Sequence, residues 1–192
     1  MQTATAQTIN GVDTTRLAET VKLMKSDSSL AKFQFRCRNH WNTAGHNTSA
    51  IQDFYGAGAE DMTRTSPFIV EADEPSLLLG TDFGANPAEY LLHALAACMT
   101  TSMVYHAAAR GIQISSVQCT IQGDIDLRGF LGLDASVRKG YQGIRVVFDV
   151  QSDATADALA ELALFSPVRD CLTNPVPLSL EVRKTIDAQA GK

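Results

Sequence analysis

Twenty-five residues, Asn86 to Arg110, constrain what this 192-residue chain can fold into more than any others. Asn86 precedes Pro87, and Glu89 stands three residues after Asn86. That is a helix N-cap, a proline whose missing N–H is harmless at the first helical position, and an acidic side chain able to reach back to the cap. Small and apolar residues follow without a break until Gly111, which reads as the C-terminal stop. The spacing predicts a helix ~37 Å long. Nearly all its faces are apolar, so it should be a central, buried element around which the rest is built.

The flanking pattern fits that role. Residues 13–25 place Leu17, Val21 and Met24 at helical spacing behind Asp13, a candidate N-cap. From Lys32 to Asn39 the chain alternates, with Phe33, Phe35 and Cys37 on one face and Gln34, Arg36 and Arg38 on the other. That is a half-buried strand. A turn at 42–45, a second strand at 47–55, a loop at 56–61 rich in glycine and acid, a third strand at 67–72 and a loop at 80–85 complete a β meander. Beyond Gly111 come strands at 113–126 and 143–152, joined by a loop across 129–140. A helix spans 153–165, and Ser166-Pro167 opens a further short helix through Cys171. Residues 178–185 alternate again and close the fold as a strand. Segregated strands and helices make this an α+β chain. The division expected is an N-terminal helical extension over 1–30, one domain over 31–186 and a tail over 187–192.

Composition narrows the function. Charged residues make up 19% and the net charge is −5. A phosphate-backbone binder needs clustered Lys and Arg, so no nucleic-acid partner is expected. The charge fraction lies below the ~25% usual for globular chains, which leaves room for a large subunit interface. No apolar run approaches the ~18 residues of a membrane span. Residues 1–11 show neither the basic nor the apolar region of a secretion signal. The chain reads as cytoplasmic, with no membrane partner.

Four cysteines, Cys37, Cys98, Cys119 and Cys171, lie far apart and form no CxxC pair. In a reducing compartment such thiols are core residues or redox groups rather than a disulfide framework. Cys37 and Cys119 alternate with polar neighbours in strands and read as core thiols. Cys98 sits on the long helix, and Cys171 on the short one. Cys37, His40 and His46 fall within ten residues, but a zinc site of this kind needs a second pair at matching spacing, so no metal is assigned. His93 and His106 are thirteen residues apart, about 140° around a helix, and do not share a face. No phosphate-binding glycine loop and no GxSxG elbow is present. No cofactor is expected.

The segment Asn86-Pro-Ala-Glu-Tyr-Leu-Leu-His-Ala-Leu-Ala-Ala-Cys98 resembles the helix signature of the OsmC/Ohr family, the osmotically inducible and organic hydroperoxide resistance type. Ser166-Pro-Val-Arg-Asp-Cys171 is similar to that family's second cysteine helix, and the element order from 32 to 185 fits. The resemblance implies an OsmC-like fold in an intertwined homodimer. It implies a thiol-dependent antioxidant peroxidase of the oxidative stress response, acting on organic hydroperoxides. Cys98 would be the peroxidatic thiol, Cys171 the resolving thiol and an external dithiol the reductant. The family's peroxidases hold the thiolate with a glutamate and an arginine. Their glutamate directly follows the proline, where this chain has Ala88; Glu89 is the candidate here. Their arginine follows the first strand, where this chain has His40, Trp41 and Asn42. Arg38 is the candidate, ahead of Arg36 and Arg64.

Elementary chemistry says what those helpers must supply. A thiol of pKa ~8.5 is about 3% ionised at pH 7. Lowering the pKa by two units gains ~25-fold in thiolate but costs ~6–10-fold in intrinsic nucleophilicity. The net gain of ~3-fold makes a weak peroxidase, so positioning of the peroxide and stabilisation of the departing oxygen must do the rest. Helical spacing puts Leu91, Leu95 and Tyr105 on the Cys98 face, as the walls of an apolar pocket. The altered glutamate position supports a second reading: a non-peroxidatic dimer that binds a small apolar ligand, with structural or redox-sensing cysteines.

Overall fold

The computed structural model describes residues 7–184. In chain order its elements are β1 (Thr8–Ile9), β2 (Val12–Asp13), α1 (Thr14–Ser26), β3 (Gln34–Phe35), β4 (Arg38–Thr43), β5 (His46–Ile51), β6 (Phe54–Gly56), β7 (Ala59–Asp61) and β8 (Phe68–Ala72). Then follow α2 (Pro87–Ala109), β9 (Ile114–Asp124), α3 (Leu127–Phe130), β10 (Gly143–Ser152), α4 (Ala156–Ala163) and α5 (Pro167–Thr173). The class is α+β, as the segregated pattern requires, with every sheet small and antiparallel.

The body of the fold is α2 laid over the β9–β10 hairpin. Along β10, Ile144, Val146, Phe148 and Val150 point one way and Arg145, Val147, Asp149 and Gln151 the other. The apolar set packs with Ile114 and Ile121 of β9 against a cluster formed by Leu95, Met99, Met103 and Ala107 of α2 and Leu159, Leu162 and Ala163 of α4. The α2 contributions recur every four residues, one row of a helix surface. Cys119 faces inward opposite Phe148, and burial pushes its thiol up, as befits a packing residue.

Both ends of α2 are fixed as its residues dictate. The Asn86 side chain accepts from the Ala88 N–H at 2.7 Å, while Glu89 accepts from the Asn86 N–H at 2.9 Å. Gly111, at φ +75°, ends the helix in the left-handed conformation that glycine adopts without a Cβ clash. Two tyrosines then fix the helix in place. The Tyr90 hydroxyl donates to the Glu71 carbonyl at 2.7 Å, and the Tyr141 hydroxyl to the Ala88 carbonyl at 2.8 Å.

The segment entering α2 is organised by Asp73, only 1% exposed. Its carboxylate accepts from the Thr81 hydroxyl (2.6 Å), the Thr81 N–H (2.9 Å), the Glu74 N–H (2.8 Å) and the Phe83 N–H (3.2 Å). Foremost the Thr81 hydroxyl, and then these N–H groups, hold the carboxyl well below the usual carboxylate range. The loop closes so tightly that a Cβ at Gly80 would overlap the Glu74 carbonyl.

The N-terminal meander departs from the expected three long strands. It forms two three-stranded sheets, β4-β5-β8 and β3-β6-β7. The strand expected over 32–39 breaks between β3 and β4, and the one over 47–55 breaks between β5 and β6. Both breaks fall at one ion pair, where Arg36 Nη1 lies 3.1 Å from Asp53 Oδ2. The expected loop at 56–61 is a hairpin, turned by Ala57 (φ 51°) and Gly58 (φ 85°), the turn whose twist suits antiparallel strands. Cys37, expected in the core, is exposed. Phe35, on the same intended inner face, is 73% exposed. Its ring meets those of Phe33 and Phe54, at 5.9 and 5.7 Å between centroids, and otherwise faces outward.

Three further expectations change. The 153–165 helix is shorter, because the Thr155 hydroxyl caps it from the Ala158 N–H and the chain turns after Ala163. Residues 178–184 are not a strand; they run without regular structure, with Leu178 and Leu180 86% and 83% exposed. Their alternation is real, but no strand among the described residues pairs with them; Thr185 lies outside those residues. Finally, α2 is buried on one side only. No helix among the described residues is long and apolar enough to cross a membrane.

Candidate functional site

The uncovered side of α2 carries Cys98. Ala94, Cys98, Thr101 and Tyr105 recur at four, three and four residues, a stripe that turns away from the core row beginning at Leu95. With Ala97, Ser102, His106 and Pro167 they line an open cleft of about 500 Å³. Small side chains make its floor, so a ligand can lie directly along the helix. No Asp, Glu, Lys or Arg is among the lining residues.

Pro167 opens α5, the helix that carries Cys171, and α5 packs against α2. Ser166 sets its direction: buried to 1%, its hydroxyl caps the helix by accepting from the Arg169 N–H at 3.2 Å. Both cysteines are free thiols, Cys98 half-buried and Cys171 exposed. Of the three pocket residues expected beside Cys98, Tyr105 lines the cleft. Leu95 is 4% exposed in the core, one step around the helix, and Leu91 lies outside the lining. A tolerance of 60° in helical phase was enough to confuse core with cleft.

The expected helpers stand elsewhere. The Glu89 carboxylate is engaged in the capping box of α2. Arg36 reaches Glu60 at 2.7 Å and Asp53 at 3.1 Å and is thereby consumed. Arg64 lies over the rings of Phe54 and Phe68, 5.2 Å from each centroid, and donates to the Gln52 carbonyl. Arg38 is 72% exposed and touches one carboxylate, Asp53, at 3.2 Å. None of these arginines lines the cleft.

Two groups escaped the sequence reading. His46, weighed there only as a metal ligand, has Nε2 2.8 Å from Glu71 Oε2, while the Thr48 hydroxyl donates to the same oxygen at 2.8 Å. The bond from His46, then that from Thr48, hold the Glu71 carboxyl below its ordinary value. Among the described residues no group of three or more His, Cys, Asp and Glu could hold a metal ion. The second is His106, at the end of the Cys98 cleft. Its ring stacks on Phe165 at 4.1 Å between centroids, and Arg110 Nη1 lies 3.2 Å from its Nδ1. The signal for it was present as His106 and Arg110 one helical turn apart; Phe165, 59 residues after His106, gave none.

Comparison with known proteins agrees with this layout. The family model described as OsmC-like protein matches residues 80–181, from the loop before α2 to beyond α5. An OsmC-like protein from Mycoplasma pneumoniae superposes with a TM-score of 0.54 at 18% identity, over 74% of this chain and 89% of that one. A Psychrobacter arcticus protein assigned to osmotic stress induction and detoxification response gives 0.51 at 14% identity, over 69% and 83%. An organic hydroperoxide resistance protein OsmC from Legionella pneumophila gives 0.48 at 17% identity, over 73% and 90%. No protein of curated function matches the sequence.

Proposed function

The chain belongs to the OsmC-like protein family, and from that premise we propose that it is a thiol peroxidase for organic hydroperoxides, serving the response to oxidative stress. The observation that carries the proposal is the cleft itself. It sets Cys98 among small and apolar side chains on the open face of α2, in a lining shared by Pro167, the first residue of the helix bearing Cys171, though not by Cys171 itself.

The chemistry runs in three balanced steps. The Cys98 thiolate attacks the terminal peroxide oxygen. An S–O bond forms as the O–O bond breaks, and the departing alkoxide takes a proton to leave as the alcohol. Cys98 is left as a sulfenic acid. The Cys171 thiolate then attacks that sulfur, forming a disulfide and expelling the oxygen as water after protonation. An external dithiol returns two electrons and two protons by thiol–disulfide exchange. An apolar cleft suits alkyl hydroperoxides, because it takes up the carbon chain that hydrogen peroxide lacks.

The protein would act as a homodimer. Trp41 at 67% and Phe68 at 61% exposed lie on the sheet β4-β5-β8, and residues 178–184 are an alternating strand sequence with no sheet to join among the described residues. A second copy supplies both a cover and a partner strand. The interface should exceed ~2,000 Å². It would also bring a cation to the thiolate: Arg38, the least committed of the three arginines, has the exposure to reach another chain. A sedimentation velocity run that finds monomer at micromolar concentration overturns this assembly.

The deciding experiment is consumption of cumene hydroperoxide with dithiothreitol present. Cys98→Ser should abolish it. Cys171→Ser should permit one turnover and then stall with a sulfenic acid that dimedone traps. Sustained full turnover by Cys171→Ser removes the resolving role. No consumption by the folded wild-type protein leaves the ligand-binding reading, which the occupied Glu89 and the cation-free cleft favour.

A further inference from the structure

The connection between β9 and β10 runs over residues 125–142, far more than the two to five that close a hairpin. It is held in shape from within. Asp126 caps α3 by accepting from the Arg128 N–H at 3.0 Å, and Asp134 accepts from the Ser136 N–H at 2.9 Å. The Leu133 N–H donates to the Arg128 carbonyl at 2.9 Å, and the Val137 N–H to the Asp134 carbonyl at 3.1 Å. Gly129 is buried, and a Cβ there would overlap the Arg138 carbonyl, so the two limbs of the loop touch. At the root, the Tyr141 ring lies against Gly123 while its hydroxyl donates to Ala88 of α2.

A loop so braced cannot fold its apolar side chains back onto the body. Phe130 and Leu133 are each 71% exposed and Leu131 is 59% exposed, all within one turn of chain. The charges beside them have a sign. Arg128 holds both carboxylates of the loop, Asp126 at 2.6 Å and Asp134 at 3.9 Å. Arg138, whose backbone touches the residue before Phe130, and Lys139 are exposed and have no ion-pair partner among the described residues. The other loop with bulky apolar residues in water, at Leu77 and Leu79, differs on this point. Residues 73–84 carry Asp73, Glu74 and Asp82 and no Lys or Arg. An apolar tip flanked by unpaired cations suits an anionic surface, and an acidic one does not.

We propose that the tip of the β9–β10 loop is a peripheral docking site for an anionic lipid surface. Phe130, Leu131 and Leu133 enter the boundary between headgroups and acyl chains, and Arg138 and Lys139 lie at the headgroups. The absence of a long apolar run excludes a membrane span and leaves a surface contact of this kind open. This contact is independent of the chemistry at Cys98.

The test is co-sedimentation of the full chain with vesicles of phosphatidylcholine, alone or mixed with phosphatidylglycerol. The protein should pellet with the anionic vesicles, and less so at high salt. Arg138→Gln and Lys139→Gln should each lower the partition coefficient about fivefold, the effect of one cation near such a surface. Phe130→Ser combined with Leu133→Ser should abolish binding at an unchanged thermal midpoint, because both side chains are already in water. Leu77→Ser combined with Leu79→Ser should leave binding as it is. No binding to anionic vesicles overturns the proposal, as does equal binding to neutral ones or binding that depends on Leu77 and Leu79 instead. If the Phe130 and Leu133 variant changes the sedimentation coefficient of the protein without vesicles, the tip covers a second copy of the chain and the lipid site is refuted.

Discussion

Met103 is the place to test whether α2 has a core side and a cleft side. The side chain is 1% exposed and belongs to the cluster with Leu159, Leu162 and Ala163 of α4. Met103→Ala removes three heavy atoms. At ~0.8 kcal/mol for each methylene-sized group the lost transfer energy is about 2.4 kcal/mol. If the site collapses only in part, a residual void of roughly 50 Å³ adds about 1 kcal/mol at ~24 cal/mol per Å³. The expected cost is therefore about 3 kcal/mol. Urea unfolding, followed by far-UV circular dichroism at one fixed protein concentration, should show the midpoint falling by ~1.5 M at an unchanged slope of ~2 kcal/mol/M. Met103→Leu keeps the volume and should lose less than ~1.5 kcal/mol, which separates packing from sulfur chemistry. Ser102→Ala, one residue earlier and facing the cleft, should stay within ~0.5 kcal/mol. A Met103→Ala midpoint within ~0.3 M of wild type, or an equal fall in Ser102→Ala, would refute the two-sided reading of the helix.

Two predictions concern the approach to α2. Asn86→Ala should cost about 1 kcal/mol, while Glu89→Gln, still able to accept from the Asn86 N–H, should stay within ~0.5 kcal/mol in a thermal melt. Asp73→Asn should lower the unfolding midpoint at neutral pH, because an amide nitrogen would face N–H groups that need an acceptor. The native carboxyl is depressed, so its contribution is complete above the ordinary value of 3.8 and is lost only as the pH falls through the lowered native value. The gap between wild type and Asp73→Asn should thus hold constant from pH 7 to about 4 and narrow only below that, as acid titrations of stability would record.

The long helix was legible because its signals are local and agree. Cap, proline, acidic partner and terminal glycine all act within one turn of the backbone they satisfy, and the structure reproduces each of them. The β9–β10 hairpin was legible for the same reason: its alternation survives in a strand with one wet face. The meander was less so. Alternation at 32–39 announces a strand but not that two strands will step from one sheet to another at the Arg36–Asp53 pair, a contact between residues seventeen apart. The same limit applies at 178–184, where the pattern specifies an extended segment and leaves open which chain supplies the neighbouring strand.

The candidate site shows where helical phase stops being sufficient. Phase places Cys98 and Tyr105 on one stripe, but it also admits Leu95, which α4 and the hairpin claim for the core. What decides between core and cleft is the position of a second element, and α4 and α5 arrive more than fifty residues later. His106 is the sharper instance. Compared with His93 alone it is an unpaired histidine; Arg110, one turn on, makes Nδ1 the accepting nitrogen; only with Phe165 in place does the ring acquire a fixed plane. The position of Cys98 could be read from a motif because it depends on one helix. The surroundings of His106 could not, because its ring is held only where α2 meets the α4–α5 joint. The shape of the cleft therefore depends on the α4–α5 joint as much as on the helix that carries the thiol.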